Sequence, residues 1–257
     1  MAASNPCACQ LYSRKGQTEN FVDTQTRHAM KHDALVDNAQ SAVAWLEEHR
    51  SQAILFVGVL LAVLIIGIGS IMLYQHRQEQ ASTGFGAAMD IYSAPVAQPG
   101  TPAQPGVRTF PSSAARAQAA NAEFEKVAST YGSTDAGKNA LYFSGLCSME
   151  MGETAAAEKT LNKVVRDGDK NLAALANLAL VNLYRQTGKT SQAVQLLNQM
   201  ASHPTTTVPA SEAKLELAGI YESTNPQQAR QIYAQIKDKD AKTAAGQIAT
   251  QKLQQLK

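Results

Sequence analysis

The hydrophobic pattern of the C-terminal half repeats at a step of 36 residues. In each copy a small residue is followed, four and seven positions later, by a large apolar one. This spacing places all three side chains on one face of a helix. Its return at a fixed step indicates an array of helical repeats, an architecture that usually offers a binding surface. The three stripes are Ala157, Leu161 and Val164, then Ala193, Leu197 and Met200, then Ala229, Tyr233 and Ile236.

Glycine and proline divide this half of the chain into short helices that pair as antiparallel hairpins. Tight turns are expected at Gly152, at Gly188 and at Asn225-Pro226, where asparagine would cap the helix and proline would occupy its first turn. The predicted helices cover 113–130, 136–151, 153–167, 170–187, 189–202, 209–223, 225–237 and 240–256.

An uncharged apolar run covers residues 53–74. At about 1.5 Å per residue it reaches about 33 Å as a helix, enough to cross a hydrocarbon core of about 30 Å. A cleaved signal peptide would have a shorter apolar core closer to the N-terminus, whereas about 50 residues precede this one. The sequence therefore predicts a single uncleaved transmembrane helix.

The charges that flank the apolar run set its expected orientation. Arg50 precedes it and Arg77 follows it, and Arg27 and Lys31 add positive charge to the N-terminal flank. The positive-inside rule then favours a cytoplasmic N-terminus. The region after the anchor would be periplasmic, and the protein would be a single-pass protein of the bacterial inner membrane.

The remaining segments are assigned by composition. We expect a disordered tail over 1–32, although Met30 could be the true start, and a short amphipathic cytosolic helix over 33–52. Residues 75–112 are expected to hold a helix and a linker, because 94–112 contains five of the nine prolines. Proline blocks helix, so this stretch is interpreted as a spacer, with a polyproline ligand as the alternative. The repeat domain follows at 113–257.

The hairpins resemble the tetratricopeptide repeat. The step departs from the usual length of about 34 residues, and Val181 and Ala218 replace the glycine at which two helices approach closely. Ala120, Phe124 and Val127 look like the second helix of an incomplete earlier unit. The resemblance implies an all-α fold, in which one transmembrane helix precedes a solenoid of about three hairpins, a half repeat and a capping helix at 240–256. The residues that carry it are Leu141, Gly145, Gly152, Ala157, Leu161 and Val164; Leu180, Tyr184, Gly188, Ala193, Leu197 and Met200; and Leu217, Tyr221, Ala229, Tyr233 and Ile236.

The whole layout, from a short cytosolic helix through one anchor to a small repeat domain rich in Ala and Gln, resembles the bacterial ancillary SecYEG translocon subunit family. The long N-terminal tail and the proline-rich 94–112 depart from that family. The resemblance implies an inner-membrane protein beside SecYEG that hands emerging chains to periplasmic chaperones, notably a membrane-anchored one resembling a prolyl isomerase. Its other expected contact is the lipid bilayer.

Composition gives little support to chemistry or to nucleic-acid binding. The net charge is +2, aromatic residues make up 6%, and no run of Lys and Arg exceeds two residues. Cys7 and Cys9 have no partner pair, and Cys147 is expected to be a small core residue. His203 is interpreted as a solvated loop residue. We therefore predict no enzyme activity, no cofactor, no metal and no small-molecule substrate.

Binding is expected on the first helix of each hairpin, which lines the concave face in this repeat class. The alternative for Tyr142, Leu146 and Leu178 is packing against the next helix. In the membrane helix, Gly58, Ala62 and Gly69 lie roughly on one face and could pack against another helix. The sequence thus predicts a protein-binding scaffold; the alternatives are a scaffold for another envelope or cell-division assembly and a membrane-bound enzyme. The predicted concave-face residues are Asn139, Tyr142, Leu146, Met149, Leu178, Asn182, Arg185, Gln186, Leu215 and Glu222.

Overall fold

A computed structural model describes residues 49–97, 106 and 108–256. The predicted tail at 1–32 and nearly all of the predicted helix at 33–52 lie outside these residues. The described part of the chain forms nine helices and no strand, which confirms the all-α prediction. They are α1 Arg50–Tyr92, α2 Ser113–Tyr131, α3 Asp135–Glu150, α4 Thr154–Asp167, α5 Lys170–Gln186, α6 Thr190–Ser202, α7 Ala210–Thr224, α8 Pro226–Lys239 and α9 Ala244–Gln255.

The chain divides into two units, Met1–Ile68 and Gly69–Lys257. In the first unit, the described residues are the apolar part of α1, whose large side chains from Ile54 to Ile68 are all more than half exposed. Helix α1 is long and apolar enough to cross a membrane, with a mean hydropathy of 2.9 over its most apolar stretch. A soluble domain would bury such side chains, so their exposure is compatible with the predicted anchor.

In the second unit, α2 to α9 stack in chain order as antiparallel hairpins. The three stripes that recur every 36 residues are buried, each with at most 5% of its surface exposed. The stripe of each second helix packs beneath the first helix of the next hairpin: Leu161 of α4 joins Leu180 and Leu183 of α5 in one apolar cluster. This packing confirms the predicted repeat array.

The hairpin turns have the predicted backbone features. Gly152 and Gly188 adopt positive φ angles of 78° and 74°, which side chains other than glycine's rarely tolerate. Asn225 accepts a hydrogen bond from the main-chain N–H of Gln228, and Pro226 begins α8. The capping helix is shorter than predicted because residues 240–243 form a turn, and Thr243 caps α9 instead.

Within the first predicted unit, α3 and α4 approach each other closely at Gly145. A Cβ atom at this position would lie 2.8 Å from Cδ2 of Leu161, so even alanine would require the Leu161 side chain to shift. At the equivalent positions, Val181 and Ala218 are themselves fully buried. The later hairpins therefore carry a buried side chain where the first one has a glycine.

The half unit recognised by Ala120, Phe124 and Val127 has a partner helix in the stretch after the apolar run, which the sequence analysis expected to be helical but left outside the repeat domain. Residues 81–92 at the end of α1 pack on α2 and α3: Ala81 and Ala88 are fully buried. The ring of Phe85 lies 5.7 Å from that of Phe124. The end of α1 thus completes this hairpin.

The proline-rich segment consequently joins two helices that pack together. Its two ends meet in a short parallel bridge between Val96 and Phe110. The N–H of Ala97 donates to the carbonyl of Phe110 at 2.8 Å, and the N–H of Phe110 donates to the carbonyl of Pro95 at 3.1 Å. The described residues on either side of this segment thus lie side by side.

We predict that Ala88→Leu lowers the free energy of unfolding by about 1–3 kcal/mol, because three extra carbons must fit into a filled core. The neighbouring Ala87 is exposed, so Ala87→Leu should change stability by less than about 0.5 kcal/mol. Urea unfolding of the full chain in detergent, followed by circular dichroism, measures both values. Equal stability of the two variants would mean that residues 81–92 lie outside the folded repeat domain.

Candidate protein-binding site

The ten predicted concave-face residues lie on α3, α5 and α7, the first helices of three consecutive hairpins. Three of them, Asn182, Arg185 and Gln186, are exposed on the last turns of α5. The other seven are half-buried: Asn139, Tyr142, Leu146, Met149, Leu178, Leu215 and Glu222. The structure thus presents one compact polar group on α5.

Most of the half-buried residues take part in the apolar packing of the array. Tyr142, Leu146 and Met149 pack against the cluster that contains Leu161 and Leu180. Burial raises the pKa of the Tyr142 hydroxyl, so this group stays protonated at neutral pH. Leu178 likewise packs beside Val181 and Leu197. The sequence analysis gave packing inside the array as the alternative to partner binding for Tyr142, Leu146 and Leu178. The structure has such packing contacts for all three.

Arg185 joins the first helices of two hairpins. Its Nη1 lies 2.9 Å from a carboxylate oxygen of Glu216 on α7. Both side chains are substantially exposed, and such surface ion pairs contribute about 0–1 kcal/mol. The pair is therefore weak enough for a partner to exchange its contacts at little cost.

Glu222 is held by contacts inside the array. Its carboxylate accepts a hydrogen bond from the hydroxyl of Tyr233 at 2.7 Å and lies 3.0 Å from Nζ of Lys252. The Tyr233 hydroxyl, assisted by Lys252, lowers the pKa of Glu222. Burial and the nearby Glu222 carboxylate raise the pKa of Tyr233. These contacts tie α7 to α8 and α9, so Glu222 secures the end of the array.

A similar network one hairpin earlier was not anticipated from sequence. Glu158 of α4 accepts hydrogen bonds from Nζ of Lys189 at 2.7 Å and from the Tyr184 hydroxyl at 3.1 Å. The Lys189 ammonium also lies 5.5 Å from the centre of the Tyr184 ring. The hydrogen bond from Lys189 lowers the pKa of Glu158. No local spacing signals this group, because its members come from two hairpins.

Two concavities lie along α5 and α6, and none of the ten predicted residues lines them. The larger has a volume of about 450 Å³ and the smaller about 230 Å³. Asn177 and Gln199 line both. On α5, the lining residues and the predicted ones occupy different faces, since Asn177 and Leu178 differ by about 100° around the axis. The larger is lined by Lys170, Ala173, Ala174, Asn177, Gln199, Met200, His203, Pro204, Thr205 and Val208. The smaller is lined by Asn162, Asn177, Leu180, Tyr184, Gln192, Gln195, Leu196 and Gln199.

Groups with catalytic or metal-binding potential are dispersed. Across the described residues, no three His, Cys, Asp or Glu side chains gather as metal ligands would. Cys147 is fully buried, which confirms its predicted core position. Burial raises its thiol pKa to about 12, so it stays protonated and unreactive at neutral pH. Cys7 and Cys9 lie outside the described residues.

The residues of α1 that were predicted to pack against a second helix have space around them. A Cβ atom added at Gly58 or at Gly69 would meet no atom within 4 Å, and Ala62 is exposed. Their packing against a second membrane helix stays a prediction.

Comparison with known proteins places the repeats in a family. A family described as the tetratricopeptide repeat-like domain matches residues 44–257. Two crystal structures, one of a Q17M variant, show a Podosopora anserina protein provisionally named a kinesin light chain, with nearly identical TPR-like repeats. Each is 20% identical over 55% of this chain and 77% of that one, with a TM-score of 0.45. No curated protein matches the chain.

We predict that Tyr233→Phe lowers the free energy of unfolding by about 1–2 kcal/mol at pH 7, because Glu222 loses a charge-assisted hydrogen bond. The stabilisation that accompanies a lowered carboxyl pKa is complete above the unfolded value of about 4.3. It disappears as the pH falls through the folded value. The difference between variant and wild type should therefore shrink below about pH 4.

Urea unfolding at pH 7 and at pH 3 measures this difference. Tyr221→Phe is the matched control, since Tyr221 is half-buried on the same array and its hydroxyl makes no hydrogen bond within the described residues. An equal loss in the control, or a loss that is independent of pH, would contradict the role given to Glu222.

Proposed function

The chain belongs to the tetratricopeptide repeat-like domain family, and on this premise we propose that it is a membrane-anchored scaffold that binds protein. Stacked helical hairpins of this kind usually mediate protein–protein contacts. The observation that carries the proposal is the exposed polar group Asn182, Arg185 and Gln186 at the end of α5.

The chemistry of this group fits a polar peptide or a polar helix face. Asn182 and Gln186 make no side-chain hydrogen bond within the described residues, so each offers donors and acceptors to a partner. Arg185 adds a planar group with five N–H donors, which suits carboxylates and main-chain carbonyls. The apolar stems of Leu178 and Leu215 lie on neighbouring first helices and are half-buried. A partner would therefore meet a mixed surface that includes the ion pair of Arg185 and Glu216.

The site of action that we propose is the bacterial inner membrane. The apolar part of α1 would span the bilayer once, with the N-terminus in the cytoplasm and the repeat domain in the periplasm. The chain would assist protein translocation beside SecYEG and pass emerging segments to a membrane-anchored chaperone. The apolar exposure of α1 and the charges that flank it support this version. A scaffold for another envelope or cell-division assembly is the alternative.

We predict that protease added outside spheroplasts digests the repeat domain. An antibody against the C-terminal repeats should detect loss of the domain while a cytoplasmic marker stays intact. Protection of the domain until the cells are lysed would contradict the periplasmic orientation.

We further predict that a photo-crosslinker at Asn182 captures a SecYEG subunit or a membrane-anchored chaperone in living cells. The matched control is Lys163, an exposed residue on the second helix α4, where the same crosslinker should capture neither. Mass spectrometry identifies the products. Capture of a division or envelope component would support the alternative assembly, and equal products at Asn182 and Lys163 would contradict binding at this face.

A further inference from the structure

The two concavities along α5 and α6 share Asn177 and Gln199 as lining residues, and we treat them together as one groove. Five carboxamide side chains line it, and we call it the amide groove. The second hairpin contributes four of them, and the fifth comes from α4. The five are Asn162, Asn177, Gln192, Gln195 and Gln199.

The carboxamides of the amide groove are largely without partners. Asn162 donates one hydrogen bond to the carbonyl of Glu158 at 2.8 Å. Within the described residues, the side chains of the other four make no hydrogen bond. Each carboxamide offers two N–H donors and one carbonyl acceptor. A peptide main chain presents the complementary pattern, with one donor and one acceptor per residue.

The spacing along α6 suits an extended chain. Gln192, Gln195 and Gln199 follow one another at intervals of three and four residues, on one face of the helix. They span about 10 Å along the axis at about 1.5 Å per residue. Three residues of an extended chain also span about 10 Å. The two intervals, about 4.5 and 6 Å, approach the spacing of about 6.6 Å between alternate peptide groups of an extended chain, so successive glutamines could reach alternate peptide groups.

The charge of the groove is uneven. Lys170 lies at one end beside His203, and no carboxylate lines either concavity. Apolar side chains, including Leu180, Leu196 and Met200, line the space between the carboxamides. Nucleic acid would need several cations to neutralise its phosphates, and the groove supplies one lysine.

We propose that the amide groove binds an extended polypeptide segment through its main chain, with a carboxylate of that segment at Lys170. Recognition of the main chain would make the site tolerant of side-chain sequence. The site is separate from the polar group at the end of α5, because its residues occupy another face of that helix. It would allow the array to hold two protein segments at once.

The experiment measures fluorescence anisotropy of labelled eight-residue peptides with the full chain in lipid nanodiscs. The parent peptide alternates Ala and Thr and ends in a free carboxylate. Its twin carries N-methyl groups on alternate main-chain nitrogens, which removes donors without changing the side chains. Two further peptides have an amidated C-terminus, one of them with Asp at the penultimate position.

We expect the N-methylated peptide to bind about tenfold more weakly than the parent, since it loses several hydrogen bonds. Amidation should weaken binding about fivefold. Recovery with Asp would show that a side-chain carboxylate is accepted, and failure to recover would assign the Lys170 end to a chain terminus. Equal binding of the parent and the N-methylated peptide, or no binding of the parent, would overturn the proposal.

Two matched pairs of substitutions localise the binding. Gln195→Leu with Gln199→Leu should weaken binding of the parent peptide about tenfold. Gln231→Leu with Gln235→Leu changes the same positions one repeat later, which are exposed and outside both concavities, and should leave binding unchanged. Gln195→Glu with Gln199→Glu keeps the side-chain shape but places negative charge near the peptide carboxylate, and should also weaken binding.

Gln195→Leu with Gln199→Leu should leave the crosslinks from Asn182 unchanged, which separates this site from the one under the proposed function. Loss of binding in both leucine pairs alike, or in neither, would overturn the proposal. Circular dichroism of each variant confirms that the repeats remain folded.

Discussion

The fold depends on one constraint: a two-helix hairpin cannot bury its own apolar stripe. In α4, Leu161 lies against Gly145 of its own hairpin, and α5 of the next hairpin completes its burial with Leu180 and Leu183. In the same way, α7 covers the apolar stripe of α6, and α9 covers that of α8. Stability is therefore a sum of neighbouring contacts, and each end of the array needs an element that stops the series. Helix α9 does so at the C-terminal end, where Ala245 and Ala249 cover Tyr233.

The same constraint explains what the end of α1 does. The apolar side chains of α2, Phe124 among them, need a cover on the N-terminal side. Ala88, Phe85 and Tyr92 provide it, and the rings of Phe85 and Tyr92 also meet Phe143 of α3. Helix α1 therefore carries the long apolar run in its first part and supplies a helix of the repeat unit with its last part.

Periodicity made the repeats predictable, because Ala157, Ala193 and Ala229 mark equivalent positions whose burial follows from the helical period. A helix was expected at the end of α1, but its packing in the repeat array escaped prediction, since its buried residues are mainly alanines among polar neighbours and alanine gives little hydrophobic contrast. The predicted binding residues followed from register alone. Register cannot tell that Glu222 is bound to Tyr233 and Lys252, or that Leu146 packs in a core cluster. The amide groove was missed because Asn177 and Gln199 meet only after α5 and α6 pack together.

Position along the array decides which residues remain free to bind. Arg185 and Glu222 each follow the tyrosine at the same place in the repeat, Tyr184 and Tyr221. At the C-terminal end, Glu222 is needed to hold α9. In the middle, Arg185 makes one exposed pair with Glu216 and keeps most of its donors. The last hairpin thus uses a polar side chain to hold the capping helix, whereas an inner hairpin can present the equivalent side chain to a partner. In so short an array, binding capacity should concentrate on the second hairpin, where α5 carries exposed polar side chains on one face and the amide groove on another.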